Sequence, residues 1–213
     1  MKLTKHEHAC VVLEKDGASI VIDPGGFSSG AAEIIAGADT ILITHEHFDH
    51  VNQAAINEAL AARRDLRLYA PSPVGDMFAD HQGQFTAVAA GDELALGPFA
   101  VTVHGSQHAM IHPDVPRVPN VGYLIDGGLY HPGDAYFVPD ASVSLLLLPT
   151  SGPWMKIGEA ADYVRAVRPQ QLVQVHEMLL SDIGQQLAGS LLGEQGLTGL
   201  PLTQLAAGKS LSV

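Results

Sequence analysis

The chain has one cysteine in 213 residues, and that scarcity excludes an intrachain disulfide. Cys10 lies in the apolar run Ala9-Cys10-Val11-Val12-Leu13, so it is expected to pack as a small buried side chain rather than serve as a nucleophile or ligand. Cations are scarce too, with 11 Lys+Arg against 23 Asp+Glu and a formal charge of −12. Polyanion binding normally rests on a basic stripe, so nucleic acid is not an expected partner. Arg117, Lys156 and Arg165 stand isolated, and no glycine loop of P-loop type is present to cradle phosphate. No apolar run approaches the roughly 20 residues of a membrane span. Lys2, Lys5, Glu7, Glu14, Lys15 and Asp16 interrupt any apolar signal core near the start. A cytoplasmic location without a membrane partner is the expectation.

What is present is an apolar, turn-rich chain: 46% hydrophobic, 16% charged, with 22 glycines and 13 prolines. That composition is globular rather than disordered, and the length suits a single domain spanning 1–213. Strands are predicted at Ala9–Leu13 and Ser19–Ile22, joined by a Lys15-Asp16-Gly17 turn. Further strands are predicted at 38–44, 66–70, 85–89, 93–96, 100–104, 121–125, 128–131, 144–148 and 172–175. Helices are predicted at 31–36, 51–63, 74–80, 157–167 and 183–192. Pro113 to Pro119 is an irregular loop. Strand runs separated by single helices, in two similar passes, suggest an α/β protein with two mixed sheets packed face to face and helices outside.

The stretch Thr44-His45-Glu46-His47-Phe48-Asp49-His50 places four metal-binding side chains within six residues, directly after Ile41-Leu42-Ile43. Imidazoles and carboxylates hold borderline divalent metals, and packing them without one leaves buried polar atoms competing for partners. His45 and His47 project to one side at period two, while Asp49 and His50 open the following helical segment. Later strand ends carry more candidates. His108 follows the strand near His104, Asp134 stands in His131-Pro132-Gly133-Asp134, and His176 follows Leu172-Val173-Gln174-Val175 beside Glu177. His104, His108 and His112 lie four apart; His108 is preferred, because His104 still belongs to the alternating strand and His112 precedes Pro113.

The His-x-His-x-Asp-His pattern at 45–50, followed by these later residues, resembles the signature of the metallo-β-lactamase superfamily. The resemblance implies an αββα sandwich and two cations. His45, His47 and His108 would hold one, Asp49, His50 and His176 the other, with Asp134 bridging. His8-Ala9-Cys10 and Ile22-Asp23-Pro24-Gly25 resemble the opening strands of the branch containing ascorbate-6-phosphate lactonase-like hydrolases, which implies supporting roles for His8 and Asp23. Trp154, the only tryptophan, stands in a loop on the rim that should carry the ligands, and is a candidate for lining a substrate pocket.

The implied chemistry is hydrolysis of a small-molecule ester, lactone, amide or phosphodiester. Two cations sharing a carboxylate lower the pKa of a water from about 15.7 towards neutrality, giving hydroxide as the nucleophile, and Asp49 would orient it and pass on its proton. Zinc is the first choice of metal, with manganese, nickel or iron as alternatives. Of the rival readings, a di-iron oxidoreductase of the same fold prefers a carboxylate where this chain has His47. An RNA-processing nuclease normally adds a basic surface. The expected partner is a small-molecule substrate, with homo-oligomer formation left open.

Overall fold

The computed structural model describes residues 1–213. Two seven-stranded sheets face each other. In the first, β1 (Lys2–Lys5), β2 (Val11–Lys15), β3 (Ala18–Ile22), β4 (Thr40–Leu42), β5 (Arg67–Ala70) and β6 (Phe85–Ala87) lie in chain order, and β14 (Lys209–Ser212) closes the edge beside β1. The second runs β7 (Glu93–Leu96), β8 (Phe99–His104), β9 (Gly122–Ile125), β10 (Leu129–His131), β11 (Leu145–Pro149), β12 (Gln171–Val175) and β13 (Leu202–Thr203). Helices α1 (Ala31–Ala36) and α2 (Gln53–Ala62) belong to the first half, and α3 (Ile157–Val167) and α4 (Asp182–Leu192) to the second.

The two sheets share one pairing scheme. From β14 to β3 the pairs are antiparallel and from β3 to β6 parallel; from β7 to β10 they are antiparallel and from β10 to β13 parallel. The sheets thus repeat one pairing scheme, in which β1 corresponds to β8 and β3 to β10, with β14 from the far end of the chain standing where β7 stands in the second sheet. No repeat is visible at the level of residues, because burial constrains only which positions are apolar.

Local chemistry explains the elements. β2 turns into β3 through Asp16 and Gly17, both at positive φ (49° and 83°), the twist a tight hairpin needs. β8 alternates buried and partly exposed residues, while β11, Leu145–Pro149, is buried throughout, as a central strand covered on both faces must be. Helix α2 starts at Gln53 rather than Val51, since the Asn52 side chain accepts the N–H of Ala55 as its cap. The helix expected at 74–80 is a 3₁₀ segment, Ser72–His81, broken by the non-helical Phe78.

Three apolar clusters hold the layers. Residues such as Leu13, Ile22, Val101, Tyr123 and Leu147 fill the space between the sheets. Ile35, Ile56 and Leu60 pack α1 and α2 on the first sheet, and Tyr163, Val164 and Leu192 pack α3 and α4 on the second. Cys10 sits fully buried beneath the first helical layer, where burial pushes its thiol up to about 12. No helix is long and apolar enough to cross a membrane.

Candidate metal centre

The functional side chains leave from the ends of strands at one rim of the sandwich. Asp23 follows β3 at φ 50°, and its carboxylate accepts the N–H of Thr44 at 2.8 Å and the Thr44 hydroxyl at 2.7 Å. Those bonds fix the start of the loop that follows β4. Asn52 N–H donates to Pro24 O at 3.0 Å and Gly26 N–H to Phe48 O at 2.7 Å, so the 23–26 turn and the 45–52 loop are knitted together. Glycine is required at Gly25, where a Cβ would overlap the carbonyl of Asp49.

This loop, His108, Asp134 and His176 converge. His45, His47 and His108 present ring nitrogens that all lie within 4.8 Å of one another. His8, Asp49, His50 and His176 form a second such group, and His45, His50 and Asp134 form a third that links them. Asp134 lies between the two: its Oδ1 is 3.1 Å from His50 Nε2, and its Oδ2 is 3.4 Å from His108 Nε2 and 3.1 Å from His176 Nε2. Asp49 Oδ2 is 3.0 Å from His8 Nε2, 3.6 Å from His176 Nε2 and 3.9 Å from His50 Nε2.

The fit to a cation can be tested from the outward hydrogen bonds. His108 Nδ1–H donates to Ala109 O at 2.6 Å, and His50 Nδ1–H donates to Asp23 Oδ2 at 2.7 Å. Because the Thr44 hydroxyl is given to Asp23, the 3.0 Å contact between Thr44 Oγ1 and His45 has His45 Nδ1–H as donor. With one ring nitrogen protonated, each imidazole turns a lone pair inward from Nε2. His50 Nε2, His108 Nε2, His176 Nε2 and Asp134 Oδ1 are buried without a hydrogen-bond partner. Lone pairs facing a carboxylate at this range need a proton or a cation between them, so the donor set fits a borderline divalent metal.

Electrostatics says the same. Burial, with the nearby His50 charge, holds His45 well below the usual imidazole range, which keeps it neutral. For His50 burial also acts downward, but the carboxylates of Asp134 and Asp23 outweigh it and hold the ring well above that range. Asp134 in turn outweighs burial at His176, which is raised. Burial alone would raise the two carboxyls, yet His50 and His176 hold Asp134 well below the usual carboxylate range, and the nearby His176 ring together with the hydrogen bond from His8 does the same to Asp49.

Of the positions singled out from the sequence, His45, His47, Asp49, His50, His108, Asp134 and His176 come together, with His8 and Asp23 touching them. His104 faces away, with Nε2 2.9 Å from Thr102 Oγ1, and His112 is exposed beside Asp114. Trp154 donates its indole N–H to Asp134 Oδ2 at 2.8 Å and lines a cavity of about 310 Å³ over the cluster. Sequence reasoning passed over Asn120, whose Oδ1 accepts the N–H of Asp134 at 3.0 Å. It passed over His131, buried with Nε2–H on Ala9 O, and Lys5, buried with Nζ on Glu177 at 2.8 Å. A histidine beside Pro-Gly-Asp was a signal for His131; Asn120 and Lys5 carry none.

Known proteins resemble this chain in sequence and in fold. Residues 2–176 match the model of a beta-lactamase superfamily domain. Protein Rv0786c of Mycobacterium tuberculosis is 39% identical, covering 85% of this chain and 86% of its own length. A UPF0173 metal-dependent hydrolase of Bacillus pumilus is 30% identical, covering 92% of this chain and 95% of its own. The solved structure of Igni18, a metallo hydrolase from Ignicoccus hospitalis, superposes with a TM-score of 0.74 at 22% identity, covering 99% of this chain and 97% of that one, which shows the shared fold. With the family model spanning most of the chain and relatives alike along nearly their whole length, this protein belongs to the metallo-β-lactamase superfamily.

Proposed function

We propose that the protein is a metal-dependent hydrolase that binds two divalent cations and cleaves a small-molecule ester, lactone or phosphodiester. The observation that carries this reading is the pair of buried ligand groups bridged by Asp134, with inward lone pairs that nothing else in the chain satisfies. His45, His47 and His108 would hold one cation, and Asp49, His50 and His176 the other, with Asp134 between. Zinc suits the imidazole-rich set best, with manganese, nickel and iron as alternatives. The name of the Bacillus pumilus relative supports the same activity.

When bound, the cations supply a water of lowered pKa and a Lewis acid for the substrate oxygen. The chain's own residues do the rest. Asp49 faces the cavity, and its Oδ atoms orient the attacking water and pass its proton towards the leaving group. His8 fixes the Asp49 carboxylate from behind. Trp154 fixes Asp134 and, with Phe48, lines the cavity over the cluster.

The test is elemental analysis of purified protein, followed by a panel of esters, lactones, phosphodiesters and β-lactams. Two ions per chain with hydrolysis of at least one class is expected. At most one ion after full reconstitution would sink the binuclear form.

A further inference from the structure

We infer that Lys5 and Glu177 are positioning residues: a buried clamp on which cation binding by Asp49, His50 and His176 depends, and binding by His45, His47 and His108 does not. The inference rests on the two-cation reading and extends it to residues outside the ligand set. His176 lacks the outward bond that orients its neighbours. His45, His50 and His108 each spend Nδ1–H on an outward acceptor, but His176 Nδ1 is buried with no partner. Its direction is therefore set by its backbone and by the His8 ring against it, with centroids 3.8 Å apart. Both histidines sit in the left-handed region, at φ 59° each, where a residue other than glycine persists only when its surroundings hold it. His176 N–H donates to His8 O at 3.0 Å, and His8 N–H donates to Glu177 Oε1 at 3.2 Å. Lys5 Nζ donates to the same Oε1 at 2.8 Å and also to His6 O. The turn after β1 and the turn after β12 are locked to each other by these bonds. His8 carries the lock on to Asp49, whose Oδ2 is 3.0 Å from His8 Nε2. No hydrogen bond from Lys5, His8 or Glu177 reaches His45, His47 or His108.

Stability does not account for burying this pair. The Lys5 side chain is 1% exposed and that of Glu177 14%. Desolvating two charges commonly cancels what their attraction gives, so apolar replacements of like volume are often as stable. Glu177 Oε2 is also buried without a partner, a cost that a purely structural pair has no reason to carry. The pair is neutral in sum, so it leaves the net charge around the cations unchanged. What it supplies is the placing of two turns and, through them, of two rings.

The test uses the full chain and two paired variants. Lys5→Met with Glu177→Met removes the clamp without leaving a lone buried charge, and Lys5→Met with Glu177→Gln restores an acceptor for His8 N–H alone. Each pair is placed in a His47→Ala background, which leaves the Asp49, His50 and His176 group intact, and in a His50→Ala background, which leaves the His45, His47 and His108 group intact. Cobalt(II) is titrated into the metal-free protein and followed by its visible absorption, which reports the ligand set. In the His47→Ala background the methionine pair should weaken cobalt binding about 10- to 100-fold, and the glutamine pair should recover part of that loss together with the parent spectrum. In the His50→Ala background neither pair should change affinity by more than about twofold. Equal losses in the two backgrounds, or no loss in the first, overturn the inference. A second readout needs no metal. In the metal-free chain the methionine pair should speed amide hydrogen exchange at His8 and His176 by about tenfold or more, with exchange at His108 and Asp134 unchanged. Unchanged exchange at His8 and His176 overturns the inference. A chain without substitutions that binds fewer than two cobalt ions counts against the two-cation reading, and the exchange measurement then still decides the clamp.

Discussion

His108 is held from two sides: its Nδ1–H donates to Ala109 O, and its own carbonyl accepts from Arg117. The ring bond to Ala109 directs Nε2 towards Asp134 Oδ2, 3.4 Å away. His108→Ala should lower metal content, while His104→Ala and His112→Ala should not, because those rings point to Thr102 and to solvent. Elemental analysis of the three variants decides it, and the opposite ranking would remove His108 from the ligand set. Asp49→Asn keeps the shape of the side chain but removes charge and basicity, so turnover should fall about 10²-fold or more with near-normal folding. Full metal content together with full turnover would show that the proton is handled elsewhere. Dense ligand spacing made the 45–50 loop readable in the sequence. His108 was harder, since three histidines shared one spacing. Lys5 and Asn120 were not readable at all, because a lone lysine or asparagine gains meaning only from partners far away in the chain.

The elements nearest the site work through backbone contact. Gly25 touches the Asp49 carbonyl so closely that any side chain must push the 45–52 loop aside. Gly25→Ala should cost about 1–3 kcal/mol of stability by overpacking and also weaken metal binding. Gly17→Ala is the control. Its φ of 83° makes alanine strained, but nothing lies within 4 Å of the added Cβ, so it should cost about 1–2 kcal/mol and leave metal affinity unchanged. Thermal melts and metal titrations of both separate the two effects, and equal metal affinities would break the link between this turn and the loop. The central strands and helices announced themselves through apolar runs and periodicity. β1, β13 and β14 did not: Lys2–Lys5 and Lys209–Ser212 are short and polar, and they become strands only by pairing with each other and with β2. Thr40–Leu42 is shorter than the apolar run 38–44 because Ile43 and Thr44 stay buried after leaving the ladder, a distinction that hydrophobicity cannot make.

For the molecule as a whole, the site ties stability to pH in opposite senses with and without metal. In the metal-free protein His50 and His176 are raised, so the stability they contribute is complete below their unfolded pKa, about 6.5, and is lost as pH rises through the folded values. Asp49 and Asp134 are depressed, so their contribution is present above the unfolded carboxyl pKa, about 3.9, and is lost as pH falls through the folded values. The paired charges are therefore at full strength between about pH 4 and 6.5 and weaken towards alkaline pH. A cation competes with those same imidazole protons, so binding must release them and strengthens as pH rises. The increment in melting temperature that zinc adds should then grow steadily from about pH 6 to about pH 8. Calorimetry in buffers of different ionisation enthalpy should record protons released on zinc uptake. His176→Gln, which removes one raised imidazole, should reduce both. An increment that is flat or falls with pH, or zinc uptake without proton release, would mean that the inward faces of His50 and His176 are not where the metal sits.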